Sequence, residues 1–217
     1  MHSIRPHDLL WIDRPQQLHW HPSAPEWAAS QWSSALPLVV RRDHGLPGQI
    51  AVGVRGVQRG QRAAAWVPAT AVVRTVSPEE LIATLAPAAP RAGATSQDGS
   101  LAVLSALDVL ASIQWPWIWG VTGSCGYMLA TGVSVCTPNS DLDLLIRCPV
   151  ARVQEDFAPL LAIVATLPCR VDIQVETPLG GFALLEWLRG GKVLIKTDRG
   201  PLICRDPWIF SADRRTT

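Results

Sequence analysis

The segment that most constrains this chain runs from residue 119 to residue 146 and reads WGVTGSCGYMLATGVSVCTPNSDLDLLI. An apolar strand-like run is followed by Gly123 and Ser124, a helix-like run, a turn-rich loop and a second strand that carries Asp141 and Asp143. Side chains at positions i and i+2 of a strand lie on the same face of the sheet. The two aspartates are therefore expected to project together.

The Asp-x-Asp pattern predicts a Mg²⁺ site. Paired carboxylates repel each other unless a cation lies between them, and Mg²⁺ is usually held by one or two carboxylates together with substrate phosphates. A solvated strand edge explains the same pattern. Gly123 leaves room for a phosphate at the N-terminus of the helix, where Ser124 adds a hydroxyl donor. An ordinary helix cap explains this pair equally well.

A third carboxylate follows on a separate strand. The run VDIQVET alternates strictly, so Asp172, Gln174 and Glu176 share one face while apolar residues occupy the other. Asp172 is a candidate third metal ligand or general base. The alternative is a half-exposed sheet whose polar residues point outward.

The chain changes its pattern near residue 76. Before this position, short apolar runs are bounded by Gly and Pro, which is typical of strands and turns; they cover residues 36–42, 49–56 and 62–69. After it, helix-like and strand-like runs alternate, beginning with Ser77 as the predicted N-cap of a helix. We predict an α+β protein with a small β-rich domain over residues 1–76 and a second domain, a mixed sheet flanked by helices, over residues 77–217.

Helices and strands are expected to alternate along the second domain. The predicted helices cover residues 101–113, 125–130, 153–167 and 181–190. The predicted strands cover residues 117–121, 141–147, 169–177, 192–197 and 201–205. Pro159 is expected to kink the third helix, and the Pro/Gly/Ala/Ser-rich residues 87–100 are expected to form a loop.

Composition excludes several classes of function. The net charge of +1 gives no argument for nucleic-acid binding. Five scattered cysteines without a CxxC pair argue against a disulfide framework and a zinc site, which fits a reducing cytoplasm. The N-terminus does not resemble a signal peptide, and no apolar run is long enough for a transmembrane helix. We therefore expect a cytoplasmic protein without nucleic-acid or membrane partners.

The predicted N-terminal domain is rich in basic residues, namely Arg41, Arg42, Arg55, Arg59 and Arg62. Guanidinium groups suit phosphates and carboxylates, but a solvated basic face is the alternative. Lys192 and Lys196 lie on one side of their strand, where either can reach a phosphate or simply be exposed. His7 and Asp8 fit a structural turn and receive no chemical role.

The order of these elements resembles the nucleotidyltransferase superfamily. A strand, a Gly-Ser pair, a helix, a strand with Asp-x-Asp, a helix and a strand with an aspartate follow one another here in that order. The resemblance implies that the Gly-Ser pair holds a triphosphate and that the carboxylates bind two Mg²⁺ ions. The spacing from Ser124 to Asp141 is longer than in the shortest members of that superfamily.

A narrower resemblance covers nearly the whole chain. LATG followed by SDLDLLI is similar to the malonate decarboxylase holo-acyl-carrier-protein synthases, the phosphoribosyl-dephospho-CoA transferases, and so are RPHDLLWID, VVRR, VGVRG and RGQRAAAW in the N-terminal half. Members of that family transfer the prosthetic group of 2′-(5″-triphosphoribosyl)-3′-dephospho-CoA to a serine of the acyl-carrier subunit of malonate decarboxylase, and pyrophosphate leaves.

The resemblance also implies a role for each candidate residue. Asp141 and Asp143 would hold one Mg²⁺, and Asp172 would share a second ion or act as the general base. The phosphates of the cofactor would be gripped by four residues, Gly123, Ser124, Arg55 and Arg59. Two other functions stay open, namely a nucleotidyltransferase with another hydroxyl acceptor, such as RNA, a small molecule or another protein, and a non-catalytic binding module.

Overall fold

The computed structural model describes residues 3–45, 47–58, 60–85 and 100–209. Within these ranges the chain forms two six-stranded sheets and six α-helices. The predicted α+β class is confirmed. The predicted loop over residues 87–100 falls outside the described residues except for Ser100, which begins a helix.

The first sheet is antiparallel throughout and has the strand order β2-β5-β4-β3-β1-β6. Its strands are β1 (Leu9–Ile12), β2 (His19–Trp20), β3 (Leu38–Val40), β4 (Gln49–Arg55), β5 (Arg62–Pro68) and β6 (Val72–Val76). The three predicted strands of this half are confirmed as β3, β4 and β5. Side chains alternate along them, and Val52, Val54, Ala65 and Val67 are fully buried in the core of this sheet.

The second sheet is mixed and follows the order β12-β11-β10-β9-β8-β7. Its strands are β7 (Ile118–Val121), β8 (Leu142–Arg147), β9 (Val171–Thr177), β10 (Gly180–Ala183), β11 (Val193–Thr197) and β12 (Gly200–Cys204). Only β8 and β9 pair in parallel among these strands, and the other pairs are antiparallel. The parallel pair carries Asp143 and Asp172, so it determines how these carboxylates face each other.

Six helices accompany the sheets: α1 (Trp27–Gln31), α2 (Pro78–Ala83), α3 (Ser100–Ala111), α4 (Gly123–Thr131), α5 (Ala158–Val164) and α6 (Leu184–Leu188). Ser77 caps α2 as predicted, because its hydroxyl accepts from the Glu80 N–H while the Glu80 carboxylate accepts from the Ser77 N–H. Helix α2 packs directly on β7, where a Cβ atom at Gly120 would lie 2.2 Å from the Pro78 carbonyl carbon.

Two sequence predictions in this half were wrong. Residues 181–190 were predicted to form one helix, but the strand β10 occupies their first part because the backbone there pairs with β9. A Cβ atom at Gly180 would lie 2.3 Å from the Lys196 carbonyl oxygen, which shows how closely β11 approaches. Pro159 does not kink a long helix; it lies in the first turn of α5, which follows a separate 3₁₀ turn over Gln154–Phe157.

The two sheets contact each other through buried polar side chains. Arg42 of the first half forms an ion pair with Glu176 on β9. The Arg55 guanidinium bonds to Ser124 at the start of α4. The domain boundary near residue 76 stays a prediction. Within the ranges described above, no helix combines the length and the apolar composition that a membrane crossing requires.

Candidate active site

Two of the predicted carboxylates are neighbours on the parallel strand pair. Asp143 on β8 and Asp172 on β9 are register partners, so their side chains leave the same face of the sheet from backbones about 4.8 Å apart. Asp141 immediately precedes β8 and lines the same small cavity as Asp143. Asp143 is therefore a neighbour of each of the other two carboxylates.

Gly123 begins α4 directly against the Asp143 carboxylate. Its φ is 60°, in the left-handed region that favours glycine. A Cβ atom built on Gly123 would lie 1.8 Å from Asp143 Oδ2. The Thr122 N–H donates to the Asp143 carbonyl oxygen over 2.9 Å, which ties the strand-to-helix turn to β8. Only glycine permits this approach between helix and carboxylate.

Ser124 connects α4 to the first sheet. Its Oγ accepts from both terminal nitrogens of Arg55, over 3.3 Å from Nη1 and 3.2 Å from Nη2. The guanidinium carbon of Arg55 lies 5.3 Å from the ring centroid of Tyr127, a cation–π contact. Arg55 is only 9% exposed. A buried cation thus lies at the helix N-terminus, beside the position where the sequence predicts a phosphate.

Two adjoining cavities lie between the sheets. The larger, of about 630 Å³, is lined by residues of both halves, including Asp143, Asp172 and Tyr127. The smaller, of about 240 Å³, is polar and is lined by Arg62, Gly123, Ser124, Ser140, Asp141 and Asp143. Arg62, Gly123 and Asp143 line both cavities. The cavities are thus neighbours along one face of the second sheet, and the larger has the size of a small-molecule site.

Asp172 has a cation of its own. Arg170 Nη2 donates to Asp172 Oδ1 over 2.9 Å, and both residues line the larger cavity. Across the described residues, no three His, Cys, Asp or Glu side chains come together as a metal-binding cluster. The Mg²⁺ predicted on Asp141 and Asp143, and the second ion predicted to be shared with Asp172, therefore stay predictions.

Family models match both halves of the chain. One, described as the phosphoribosyl-dephospho-CoA transferase MdcG N-terminal domain, matches residues 5–78, and the other, described as its C-terminal domain, matches residues 85–207. The chain belongs to the phosphoribosyl-dephospho-CoA transferase family. The predicted family resemblance is therefore confirmed.

Curated relatives named phosphoribosyl-dephospho-CoA transferase match nearly the whole chain. A Klebsiella pneumoniae protein is 47% identical over 205 residues, covering 94% of this chain and 96% of the relative. An Azotobacter vinelandii protein is 44% identical, covering 96% and 98%, and a Pseudomonas aeruginosa protein is 40% identical, covering 94% and 93%. No solved structure gives a significant match to the chain, so the nucleotidyltransferase-like detail of the fold stays a prediction.

The basic residues of this family member have separate positions. Arg41, Arg55, Arg62 and Lys196 line the larger cavity, and Arg62 lines the smaller one as well. Arg42 instead pairs with Glu176, and Lys192 is exposed and lines neither cavity. Arg59, a predicted cofactor-binding residue, lies outside the described residues. The phosphate contacts predicted for Arg55 and Arg59 stay predictions.

The metal that the family resemblance implies fits one part of this site. Carboxylates of Asp141 and Asp143 and hydroxyls of Ser124 and Ser140 line the smaller cavity, and such hard oxygen donors are the ligands that Mg²⁺ takes. Ser140 is fixed by its own turn, because its Oγ accepts from the Thr137 N–H over 2.8 Å. The loop after α4 therefore places an oxygen donor beside Asp141, which sequence reasoning missed.

Sequence reasoning also missed His7. This residue was assigned only to a turn, yet its ring lines the larger cavity and contacts Gln174 of β9. The polar face of β9 is not a solvent-exposed face, because the N-terminal half covers Gln174 and Glu176. No local sequence signal marked this residue, because the positive φ of His7 and its contact with Gln174 are visible only in the structure.

Proposed function

We propose that this protein transfers the phosphoribosyl-dephospho-CoA group from 2′-(5″-triphosphoribosyl)-3′-dephospho-CoA to a serine of the acyl-carrier subunit of malonate decarboxylase. The observation that carries this proposal is that Asp143 neighbours both Gly123 and Asp172, while Arg55 bonds to Ser124, the residue after Gly123. Carboxylates and a buried cation that line one cavity suit a substrate with a polyphosphate and a metal. Family membership over the whole chain supports the same reaction.

The proposed reaction is a single displacement at the α-phosphorus of the triphosphate. The serine Oγ forms a new P–O bond, the bond from that phosphorus to the pyrophosphate oxygen breaks, and the serine hydroxyl loses its proton. Such transfers depend on positioning and charge neutralisation more than on covalent help from the protein. The cavities between the two sheets provide both.

The β and γ phosphates are assigned to the N-terminus of α4. Gly123 lets them approach the backbone, Ser124 offers its hydroxyl, and Arg55 and Arg62 supply positive charge. Arg55 already bonds to Ser124, so the donors are arranged before the substrate binds. This arrangement stabilises the negative charge that collects on the departing pyrophosphate.

Asp141 and Asp143 are the residues assigned to hold Mg²⁺, together with phosphate oxygens of the substrate. When bound, the ion neutralises phosphate charge and orients the triphosphate. Asp172 is assigned to accept the serine proton or to share a second ion. Its carboxylate lines the larger cavity and accepts a hydrogen bond from Arg170.

The acceptor and the compartment are parts of the same proposal. An acyl-carrier subunit brings its serine to the open side of the larger cavity, beside Asp172. The near-neutral charge of the chain offers no broad basic surface for RNA, so a protein acceptor is favoured over a nucleic acid. The five cysteines are scattered and include no CxxC pair, which fits the cytoplasm as the proposed place of this reaction.

A mass measurement tests the proposal. The purified protein is incubated with apo-carrier subunit, the triphosphoribosyl cofactor and Mg²⁺, and the carrier mass is expected to rise by one prosthetic group. A chelator is expected to prevent the increase. An unchanged carrier mass with Mg²⁺ present would overturn this acceptor, whereas pyrophosphate release with another hydroxyl compound would point to a transferase with a different acceptor.

A further inference from the structure

His7 occupies a turn position that ordinarily favours glycine. The Asp8 N–H donates to the Arg5 carbonyl oxygen over 3.1 Å, which closes a four-residue turn with Pro6 and His7 at its centre. His7 has a φ of 76°, the only positive value of a non-glycine residue among those described. Pro followed by a positive φ is the pattern of a type II turn, where Gly or Asn is preferred. A positive φ is unfavourable for histidine, so the conformation of the backbone does not explain why a histidine is found here.

The turn is anchored to the strand that carries Asp143. The buried carboxylate of Asp8 accepts from the Arg5 N–H over 2.9 Å and lies 3.7 Å from the guanidinium of Arg147 at the end of β8. Arg147 also donates to the Pro6 carbonyl oxygen over 3.4 Å. The His7 N–H donates to the Val40 carbonyl oxygen over 2.9 Å. Both sheets thus hold the backbone of His7 in place.

A chain of hydrogen bonds determines the tautomer of the His7 ring. Glu176 accepts from Arg42 and, over 2.6 Å, from the Gln174 amide. A carboxylate oxygen only accepts, so the Gln174 group that it contacts is the NH₂. The same NH₂ lies 2.7 Å from His7 Nε2, which must then be the acceptor. The ring proton therefore resides on Nδ1.

This arrangement leaves His7 as a neutral hydrogen-bond donor. Burial, together with the positive charges of Arg42, Arg147 and Lys196, lowers the pKa of His7 from 6.5 to about 4. The lone pair of Nε2 is already used by Gln174, so the ring is poorly placed to act as a base. Among the described residues, none accepts a hydrogen bond from Nδ1.

Lys196 lies beside this network at the cavity wall. It is the register partner of Gly181 on β10, and Gly181 is the register partner of Glu176. A Cβ atom at Gly181 would lie 2.5 Å from Glu176 Oε1 and 2.6 Å from Gln174 Nε2, so this face of the sheet is the one that carries the network. Lys196 shares that face, lines the larger cavity and has no ion pair with any described residue.

His7 and Lys196 lie farther along β9 than Asp172, and so away from the proposed reaction centre. Gln174 follows Asp172 by two residues on the same face, a displacement of about 7 Å along the strand. The Gly123–Ser124 end takes the triphosphate in the proposed function. The part of the substrate that reaches past Asp172 is then the dephospho-CoA moiety, whose only anionic group is its diphosphate.

We propose that His7 and Lys196 form a second anion subsite, in which His7 Nδ1–H and Lys196 Nζ donate to the diphosphate of the dephospho-CoA moiety. The identity of this ligand rests on the proposed function. The subsite would explain why a strained imidazole is held against the cavity by residues of both sheets. It contributes to substrate binding and not to the chemical step.

Binding of dephospho-CoA alone, measured by calorimetry, tests the subsite without any need for transfer. His7→Gly keeps the positive φ and removes the ring, and we expect its affinity to fall at least tenfold while its thermal midpoint is unchanged or raised. His7→Asn also accepts the positive φ and keeps a donor close to the Nδ1 position, so most of the affinity should return. Lys196→Ala should weaken binding, whereas Lys192→Ala should not.

The outcomes separate this inference from the proposed function. Wild-type affinity in His7→Gly, or no recovery in His7→Asn relative to His7→Gly, would overturn the subsite, as would a wild-type protein that does not bind dephospho-CoA. The expected order of affinities supports the subsite even if carrier modification fails. In that case the acceptor assignment is wrong and the anion subsite remains.

Discussion

The backbone of Gly123 and the carboxylate of Asp143 lie so close that a single methyl group cannot be placed between them: a Cβ atom on Gly123 would be 1.8 Å from Asp143 Oδ2. The first turn of α4 and the predicted metal ligand thus form one rigid unit. A displacement of about 1 Å in such a unit reduces a positioned reaction by roughly a hundredfold.

Gly123→Ala tests this contact. The added methyl group must displace the Asp143 carboxylate, so we expect the transfer rate to fall at least about a hundredfold. Gly132→Ala is a matched control, because Gly132 ends the same helix with a φ of 74° and a Cβ atom there meets nothing within 4 Å. The control should lose about 1 kcal/mol of stability and keep its activity. Equal activity of the two variants would contradict the proposed contact.

Asp141→Asn and Asp143→Asn test the metal assignment. An amide keeps the shape of the side chain but loses the charge that attracts Mg²⁺, so we expect either variant to lose at least about a thousandfold in Mg²⁺-dependent transfer. Circular dichroism should show an unchanged fold. Asp13→Asn, at an exposed position that lines neither cavity, serves as the control. Near-normal transfer by either site variant would refute the site assignment.

Arg55→Lys tests the assigned phosphate contact. Lysine keeps the positive charge but loses the two-nitrogen fork that bonds to Ser124, so KM for the triphosphate substrate should rise about tenfold. Arg74→Lys is the matched control, since Arg74 makes a similar cation–π contact with Trp11 outside both cavities. Steady-state kinetics of both variants decide the matter, and equal KM values would remove Arg55 from the phosphate site.

The lowered pKa of His7 predicts that the free energy of unfolding decreases in acid. Because the folded state holds this pKa near 4 and the unfolded state near 6.5, the unfolded chain binds the proton more readily between these values. Stability from this group is complete above pH 6.5 and is lost as the pH falls to 4, by about 3 kcal/mol. In urea unfolding, the free energy of unfolding of wild type minus that of His7→Asn should fall by about this amount as the pH is lowered from 6.5 to 4. A constant difference would contradict the lowered pKa.

Local sequence patterns were sufficient to predict many of the helices and strands of this protein. Strict alternation identified β9 and its polar face, and the Ser-Pro-Glu-Glu run identified the cap of α2, because both signals depend on residues only a few positions apart. The alternation of helices and strands also predicted the α+β class. The helix predicted over residues 181–190 failed, because its composition suits a helix while pairing with β9 and β11 decided that its first part is a strand.

By itself, the sequence determined the order of elements and the three carboxylates, together with the Gly-Ser pair that begins α4. Only the tertiary structure decided what faces them. The parallel pairing of β8 and β9 made Asp143 and Asp172 neighbours, and the contact between the two sheets brought Arg55 to Ser124 and His7 to Gln174. These pairs are separated by 69 and 167 residues in the chain. Contacts between residues so far apart in the chain cannot be predicted from local periodicity, because strand register and sheet packing depend on the whole core.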